Sequence, residues 1–225
     1  MPTSDKTENL AKDLAELNVD FSIAENLYRV RNSYGVNGLI DMPSAGSFDD
    51  GTFSINTANV DESLRTTLNF QALPRINGSF RYSGIGEKST GYTEDSGYAI
   101  WDRSFDLRVD LLKEQKIIPD LTLGFQDIIG TGAYSGEYLV GSKSFKKIRG
   151  TFGLGWGRLG SKNILIKNGA RSMGSDIGGS FGGNIRTDQL FKGNIGIFGG
   201  LEYKPKIENL QLKLEVSSDS YQNVS

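Results

Sequence analysis

Asp102, Asp106 and Asp110 recur at intervals of four, and Glu137 follows further along the chain. Two carboxylates can hydrolyse a glycosidic bond when they stand roughly 5–9.5 Å apart. Positions four apart on one strand are separated by about 13 Å, at roughly 3.3 Å per residue. The three aspartates cannot form that pair among themselves, although a cross-strand partner such as Glu137 could come closer. The plainer reading is a row of charges compensated by Arg103, Arg108 and Arg149. Gly155-Trp156-Gly157-Arg158-Leu159-Gly160 matches G-x-G-x-x-G. A dinucleotide site would need a helix next and an acidic residue about 20 positions on. Ser161-Lys162-Asn163 and a Gly/Ser-rich stretch follow instead, so the glycines are read as close-packing positions in a strand. Gly136 to Ser144 misses a phosphate-binding loop by one inserted Ser, and no helix is expected after it.

Cys and His are both absent. That removes Ser-His-Asp and Cys-His nucleophiles and thiolate or imidazole metal sites. No cofactor and no metal are expected, and the chain is read as a non-enzyme. The formal charge is −2 with no basic stripe, which leaves nucleic-acid binding without electrostatic support.

The elements that must position these residues are read from hydrophobic periodicity. Leu10, Leu14, Leu17 and Phe21 are spaced by three and four, predicting a short helix over 6–18 within an N-terminal segment, 1–31. From about residue 50 the period is two, and residues 32–225 are read as one β domain. Leu64, Thr66, Leu68, Phe70 and Ala72 oppose Arg65, Thr67, Asn69 and Gln71. Ile76, Gly78, Phe80 and Tyr82 oppose Asn77, Ser79 and Arg81. Phe105, Leu107, Val109 and Leu111 oppose Asp106, Arg108 and Asp110. The pattern continues over 120–126, 148–158, 195–203 and 210–216. Over 137–144, Tyr138 and Val140 oppose Glu137 and Lys143, with Leu139 as the exception. Residues 84–98 and 160–190 read as loops and 204–209 as a turn.

A sheet with one charged and one apolar face fits a soluble sandwich as well as a membrane barrel. Strand length favours the barrel, because 97–113 and 132–146 can cross a bilayer as tilted strands of roughly 9–11 residues. Tyr82, Tyr98, Trp101, Tyr134, Tyr138, Trp156 and Tyr203 gather near strand ends, as interface girdles do. The hydrophobic fraction of 37% leaves no run that could form a membrane-spanning helix.

Several stretches are more specific than a period. In order they are Gly35 to Ala45, Trp101 to Asp106, Gly124 to Gly132 continuing through Ser135–Val140 and Ser142-Lys143, and Gly153 to Gly160. Together they resemble the YjbH family of outer-membrane proteins, over about 33–221. The resemblance implies an outer-membrane β-barrel; with the alternation it gives an all-β antiparallel meander forming a partial transmembrane-type β-barrel, preceded by the short N-terminal helix read from spacing. It also implies a part in exopolysaccharide production or export at the outer membrane, with polysaccharide, outer-membrane lipid and other export proteins as partners. It carries no catalytic residues. Met1 to Lys6 lack a secretory signal and no lipobox Cys is present, which counts against membrane insertion of this chain. Tyr221 to Ser225 lack the terminal aromatic of an outer-membrane barrel and the family barrel needs more strands, so the expectation is an N-terminal piece, a partial gene, or a relative put to another use, for example in a phage genome.

The residues expected to line a passive polar lumen and touch a glycan are Arg65, Arg81, Asp106, Arg108, Asp110, Glu137 and Arg149. The alternative is a soluble or virion-associated β-rich structural or carbohydrate-binding module. Gly35 to Ala45, which lacks a strand period, either crosses the lumen or its mouth, or simply connects to the first strand.

Overall fold

The computed structural model describes residues 30–60, 63–86, 98–169, 171, 184–185, 189–207 and 210–221. The helix expected over 6–18 lies outside them, as does most of the loop over 84–98. The described residues form an antiparallel meander: β1 (Phe53–Val60), β2 (Ser63–Leu73), β3 (Ile76–Gly86), β4 (Tyr98–Leu112), β5 (Asp120–Gly130), β6 (Gly136–Phe145), β7 (Ile148–Gly155), β8 (Ile164–Ile166), β9 (Asn184–Ile185), β10 (Ile195–Tyr203) and β11 (Leu212–Val216). The order is β1-β2-β3-β4-β5-β6-β7-β10-β11, with β8 on β10 and β9 on β5. A 3-10 turn, Gly157–Gly160, follows β7. β1 and β11 do not pair with each other, so the sheet is open among the described residues and the barrel closure expected from sequence is not seen.

The period of two sorts the side chains as the alternation requires. Register places Ile55, Leu68, Phe80 and Phe105 in one row across β1 to β4. All four are exposed large hydrophobic residues. On the other face Thr67, Asn69, Gln71, Arg81, Ser83, Asp106 and Arg108 are buried. The polar face is therefore the covered one, the reverse of a water-soluble sheet.

Its cover is the chain's own segment 30–48, here called the strap. It is held as a loop by bridges Arg31↔Asn37 and Gly38↔Pro43. The Asn32 side-chain oxygen accepts from the N–H groups of Tyr34 and Val36, the local bond that favours such turns. Gly35, at φ +82, lies so close to β2 that an added Cβ would sit 2.5 Å from the Thr67 Cβ. Strap residues reach both β2 and β11, which are seven places apart in the sheet. A flat sheet would separate those strands by about 34 Å at roughly 4.8 Å per strand. The sheet must therefore curl around the strap.

β6 departs from the face read from sequence. Register pairs Tyr138 with Gly124 and Val140 with Thr122, so both side chains point to the covered face. There Tyr138, Val140, Phe198 and Leu159 pack with Leu39, Met42 and Ala45 of the strap. The aromatic rings lie on glycines: Tyr138 opposite Gly124, and Phe198 opposite Gly153. Tyr134 is also buried, so Tyr134 and Tyr138 do not belong to an outer aromatic belt. Tyr82 and Trp101 do face outward, stacked with centroids 5.0 Å apart. β1 was not separated out from sequence, because Phe53 and Ile55 are its only large apolar residues before Val60.

A Cβ on Gly124 would meet the Tyr138 ring at 2.0 Å, whereas one on Gly141 finds nothing closer than 3.7 Å. Gly124→Ala is expected to cost roughly 1–3 kcal/mol through overpacking. Gly141→Ala should stay within about 0.5 kcal/mol of the parent. Urea unfolding midpoints of the two variants measure this directly.

Candidate functional site

Six of the seven residues singled out for the polar face share it. Arg65 comes from β2, Arg81 from β3, Asp106, Arg108 and Asp110 from β4, and Arg149 from β7. Glu137 does not join them. It pairs in register with Phe125 on the opposite face. There Arg171 Nη1 donates to both its carboxylate oxygens, at 2.8 and 3.0 Å, and Phe191 N–H donates at 3.0 Å. The Phe191 ring packs edge-on against Phe125 and Trp156 nearby.

On the covered face the charges are matched closely. Arg81 donates two bonds to Asp106, at 2.7 and 3.2 Å, and both residues are buried. Asp106 also accepts from the Asp127 N–H at 2.8 Å. The aspartate row is thus served by Arg81 from the neighbouring strand, and Arg103 instead sits outward beside the Tyr82 ring. Asp102 accepts from the Thr131 hydroxyl and Asp110 from the Thr122 hydroxyl. Arg65 donates to the Ser33 hydroxyl and stacks 4.2 Å over the Tyr34 ring. Tyr34 meets Tyr134 edge-on at 5.6 Å. Arg158, from the 3-10 turn, lies over Tyr134 and pairs with Asp219 at 2.6 Å.

The remaining groups on this face grip the strap backbone. Arg108 donates to the carbonyls of Asn37, Ser44 and Gly46. Thr67 and Asn69 donate to those of Tyr34 and Gly35. The hydroxyls of Ser142 and Thr122 accept from the N–H groups of Ala45 and Gly46. At the far edge one Glu215 carboxylate oxygen accepts from three consecutive N–H groups, Ile40, Asp41 and Met42, at 2.8–2.9 Å. Lys213 donates to the carbonyls of Gly38 and Leu39. The strap therefore crosses the polar face and is more than a connector. What the arrangement does chemically is bind a chain of alternating donors and acceptors by many modest bonds, each worth about 0.5–1.5 kcal/mol net.

Beyond the strap's end the face opens into a cleft of about 360 Å³ beside the hairpin turns, lined among others by Asp110, Asp120, Arg149 and Glu202. Arg149 organises its floor. It donates to Asp120 at 2.7 Å, to Glu114 at 3.0 Å and to the Ala45 carbonyl at 3.0 Å. Partial burial pushes the Glu114 carboxyl up. Bonds from the Ser144 N–H and hydroxyl, with Lys143 and Arg149, outweigh that and hold it below its ordinary value. Sequence reading named Asp110 and Arg149 here but missed Asp120 and Glu202, which carried no motif. Among the described residues no group of three or more His, Cys, Asp or Glu is placed to hold a metal ion.

The family model for the exopolysaccharide biosynthesis protein YbjH matches residues 30–225, the strap and the whole sheet. This chain belongs to the YjbH family. It is 32% identical over 200 residues to an Escherichia coli (strain K12) protein described as the uncharacterized lipoprotein YjbH. That match covers 85% of this chain and 28% of the relative, so the chain spans under a third of the YjbH lipoprotein's length. No solved structure matches it.

Asp106→Asn removes the carboxylate that accepts two bonds from buried Arg81, leaving Asp102 and Asp127 as the nearby counter-charges, and is expected to cost about 3 kcal/mol. Asp120→Asn, at the partly exposed Arg149 pair, where Arg149 keeps Glu114 as a partner, should cost about 1 kcal/mol. Unfolding midpoints check the contrast. Glu215→Ala strips the acceptor from three strap N–H groups, at an expected cost of about 1–3 kcal/mol. Limited trypsin digestion should then cut after Arg31 faster than in the parent, with the strands still protected.

Proposed function

We propose that this chain is part of the wall of an outer-membrane β-barrel serving exopolysaccharide production or export, with its polar face turned to the glycan's path. The carrying observation is the inversion of the two faces. Phe80, Phe152, Leu201, Leu212 and Leu214 are exposed, at 43%, 61%, 50%, 54% and 71%, while Arg81, Asp106 and Arg108 are buried. Soluble monomers rarely leave more than a few hundred Å² of contiguous apolar surface in water, and lipid is the solvent in which such an outer face is stable. Among the described residues no helix is long and apolar enough to cross a membrane, so strands are the elements that would do so. The lipoprotein description of the Escherichia coli relative supports a place in the cell envelope, and the family description supports the link to exopolysaccharide.

The edges of β1 and β11, which no described strand pairs, are where further strands of a longer family member would complete the wall. The polar face handles a polymer by binding, and no catalytic step is assigned to it. Arg65, Arg81, Asp106, Arg108, Asp110 and Arg149 act through the strap in the arrangement seen. A glycan meets the cleft first and reaches the deeper groups when the strap shifts. Such a wall would work beside export partners and outer-membrane lipid.

The reading predicts that the purified chain folds in detergent micelles or lipid vesicles and aggregates in plain buffer. Phe80→Arg, in the middle of the apolar row, should destabilise the lipid-folded protein by about 2–4 kcal/mol. A monodisperse, folded parent in plain buffer, with Phe80→Arg within about 0.5 kcal/mol of it, would show a soluble module instead.

A further inference from the structure

The cleft beside the turns has two lips of opposite sign. Asp49 and Asp50 follow the strap on one side, and Lys113, Lys146 and Lys147 rise from the β4–β5 and β6–β7 turns on the other. On the floor the carboxylates are already served. Asp110 accepts from Thr122, Asp120 pairs with Arg149, and Glu202 meets Lys213 at 3.6 Å and accepts from Gln211. The three lysines differ. Among the described residues none of their ammonium groups has a carboxylate within salt-bridge distance, and Lys146 lies only over its neighbour's Phe145 ring. The backbone adds a second sign. Phe145 and Ile148 are paired across a two-residue turn, Lys146-Lys147, with Lys146 at φ +55. Tight hairpins favour Asn-Gly or similar pairs because an L side chain in the left-handed region costs roughly 1–2 kcal/mol. Here a cation stands where glycine would fold more easily.

We propose that this cleft binds an acidic sugar unit of a polysaccharide, its carboxylate on the lysine lip and its hydroxyls on the aspartate lip and the Arg149 floor. The inference deepens the polysaccharide reading above and names the substrate class. A neutral sugar would place its hydroxyls on the aspartate lip and leave the ammonium groups in water. A uronate satisfies both lips at once and is oriented by them. A sugar hydroxyl meets one charged partner at a time, whereas a carboxylate against an ammonium group joins two opposite charges, so the carboxylate sets the selectivity and salt weakens it.

The test uses the whole chain in whichever medium folds it, titrated calorimetrically with a galacturonate oligosaccharide, a glucose oligosaccharide of equal length, and a glutamate oligopeptide of equal charge. The galacturonate chain is expected to bind at least about tenfold tighter than either control. The double substitution Lys113→Gln, Lys147→Gln touches no internal ion pair, and circular dichroism should be unchanged. It should remove that preference, a loss of about tenfold per charged contact. Equal binding of the galacturonate and glucose chains, unaffected by the substitutions, would overturn the acidic class while leaving a glycan-binding face intact. Equal binding of the glutamate peptide would overturn the sugar assignment. Galacturonate binding that survives the double substitution would move the site away from this cleft. No binding of any probe by lipid-folded protein would sink the cleft as a glycan site without touching the membrane reading, which the Phe80→Arg experiment decides separately.

Discussion

Arg108 donates to three carbonyls of the strap, and most of the structure rests on that kind of bond. A guanidinium on the covered face of a sheet is tolerable only when its donors are filled, because an unpaired buried charge costs several kcal/mol. The strap fills them with backbone groups, and backbone groups are what a loop has in excess. Each partner thus solves the other's problem. The sheet's charges gain acceptors, and the strap's N–H and C=O groups gain partners without forming a strand. Glu215 and Lys213 close the arrangement at the last strand by serving the N–H and the C=O sides of one short stretch, Gly38 to Met42.

That exchange explains why the sheet curls. Thr67 and Asn69 at one side and Lys213 and Glu215 at the other must all reach the same short loop. Curling in turn decides the outer face. The apolar row that begins at Ile55 and runs through Leu68, Phe80 and Phe105 lies on the convex side, where no described segment covers it. The covering residues near Glu137 and Phe191 are the local exception, and there the outer face takes its own buried ion pair with Arg171. The function proposed for the molecule is a consequence of this inversion rather than of any one residue.

The proposed glycan-facing role is spread in the same way. The groups that could hold a polymer are already binding one, the chain's own strap, through bonds of the strength a sliding sugar chain requires. Among the described residues, the cleft at the turns gathers Lys113, Lys146 and Lys147 without a carboxylate in salt-bridge distance, above a floor where Arg149 pairs with Asp120. The site is therefore better described as a polar track with one accessible end than as a pocket.

Much of this was legible in the sequence, and the division follows the range of the interactions. A period of two is a local property, so β2, β3, β4, β5, β7, β10 and β11 and their charged faces could be read residue by residue. The family followed from local motifs in the same way. β6 was read the wrong way round, because Tyr138 and Val140 look like an outer apolar face until Leu39 and Met42 arrive from a hundred residues away to pack on them. Glu137 followed that error. The choice of Arg81 rather than Arg103 or Arg108 as the partner of Asp106, and the gathering of Lys113 and Lys147 around one cleft, depend on which strands become neighbours. The sequence by itself determined a two-faced ribbon with charges on one side. Only the tertiary structure decided that the charged side is the inside and that the strap fills it, because burial is set by contacts between distant segments, which no local spacing encodes.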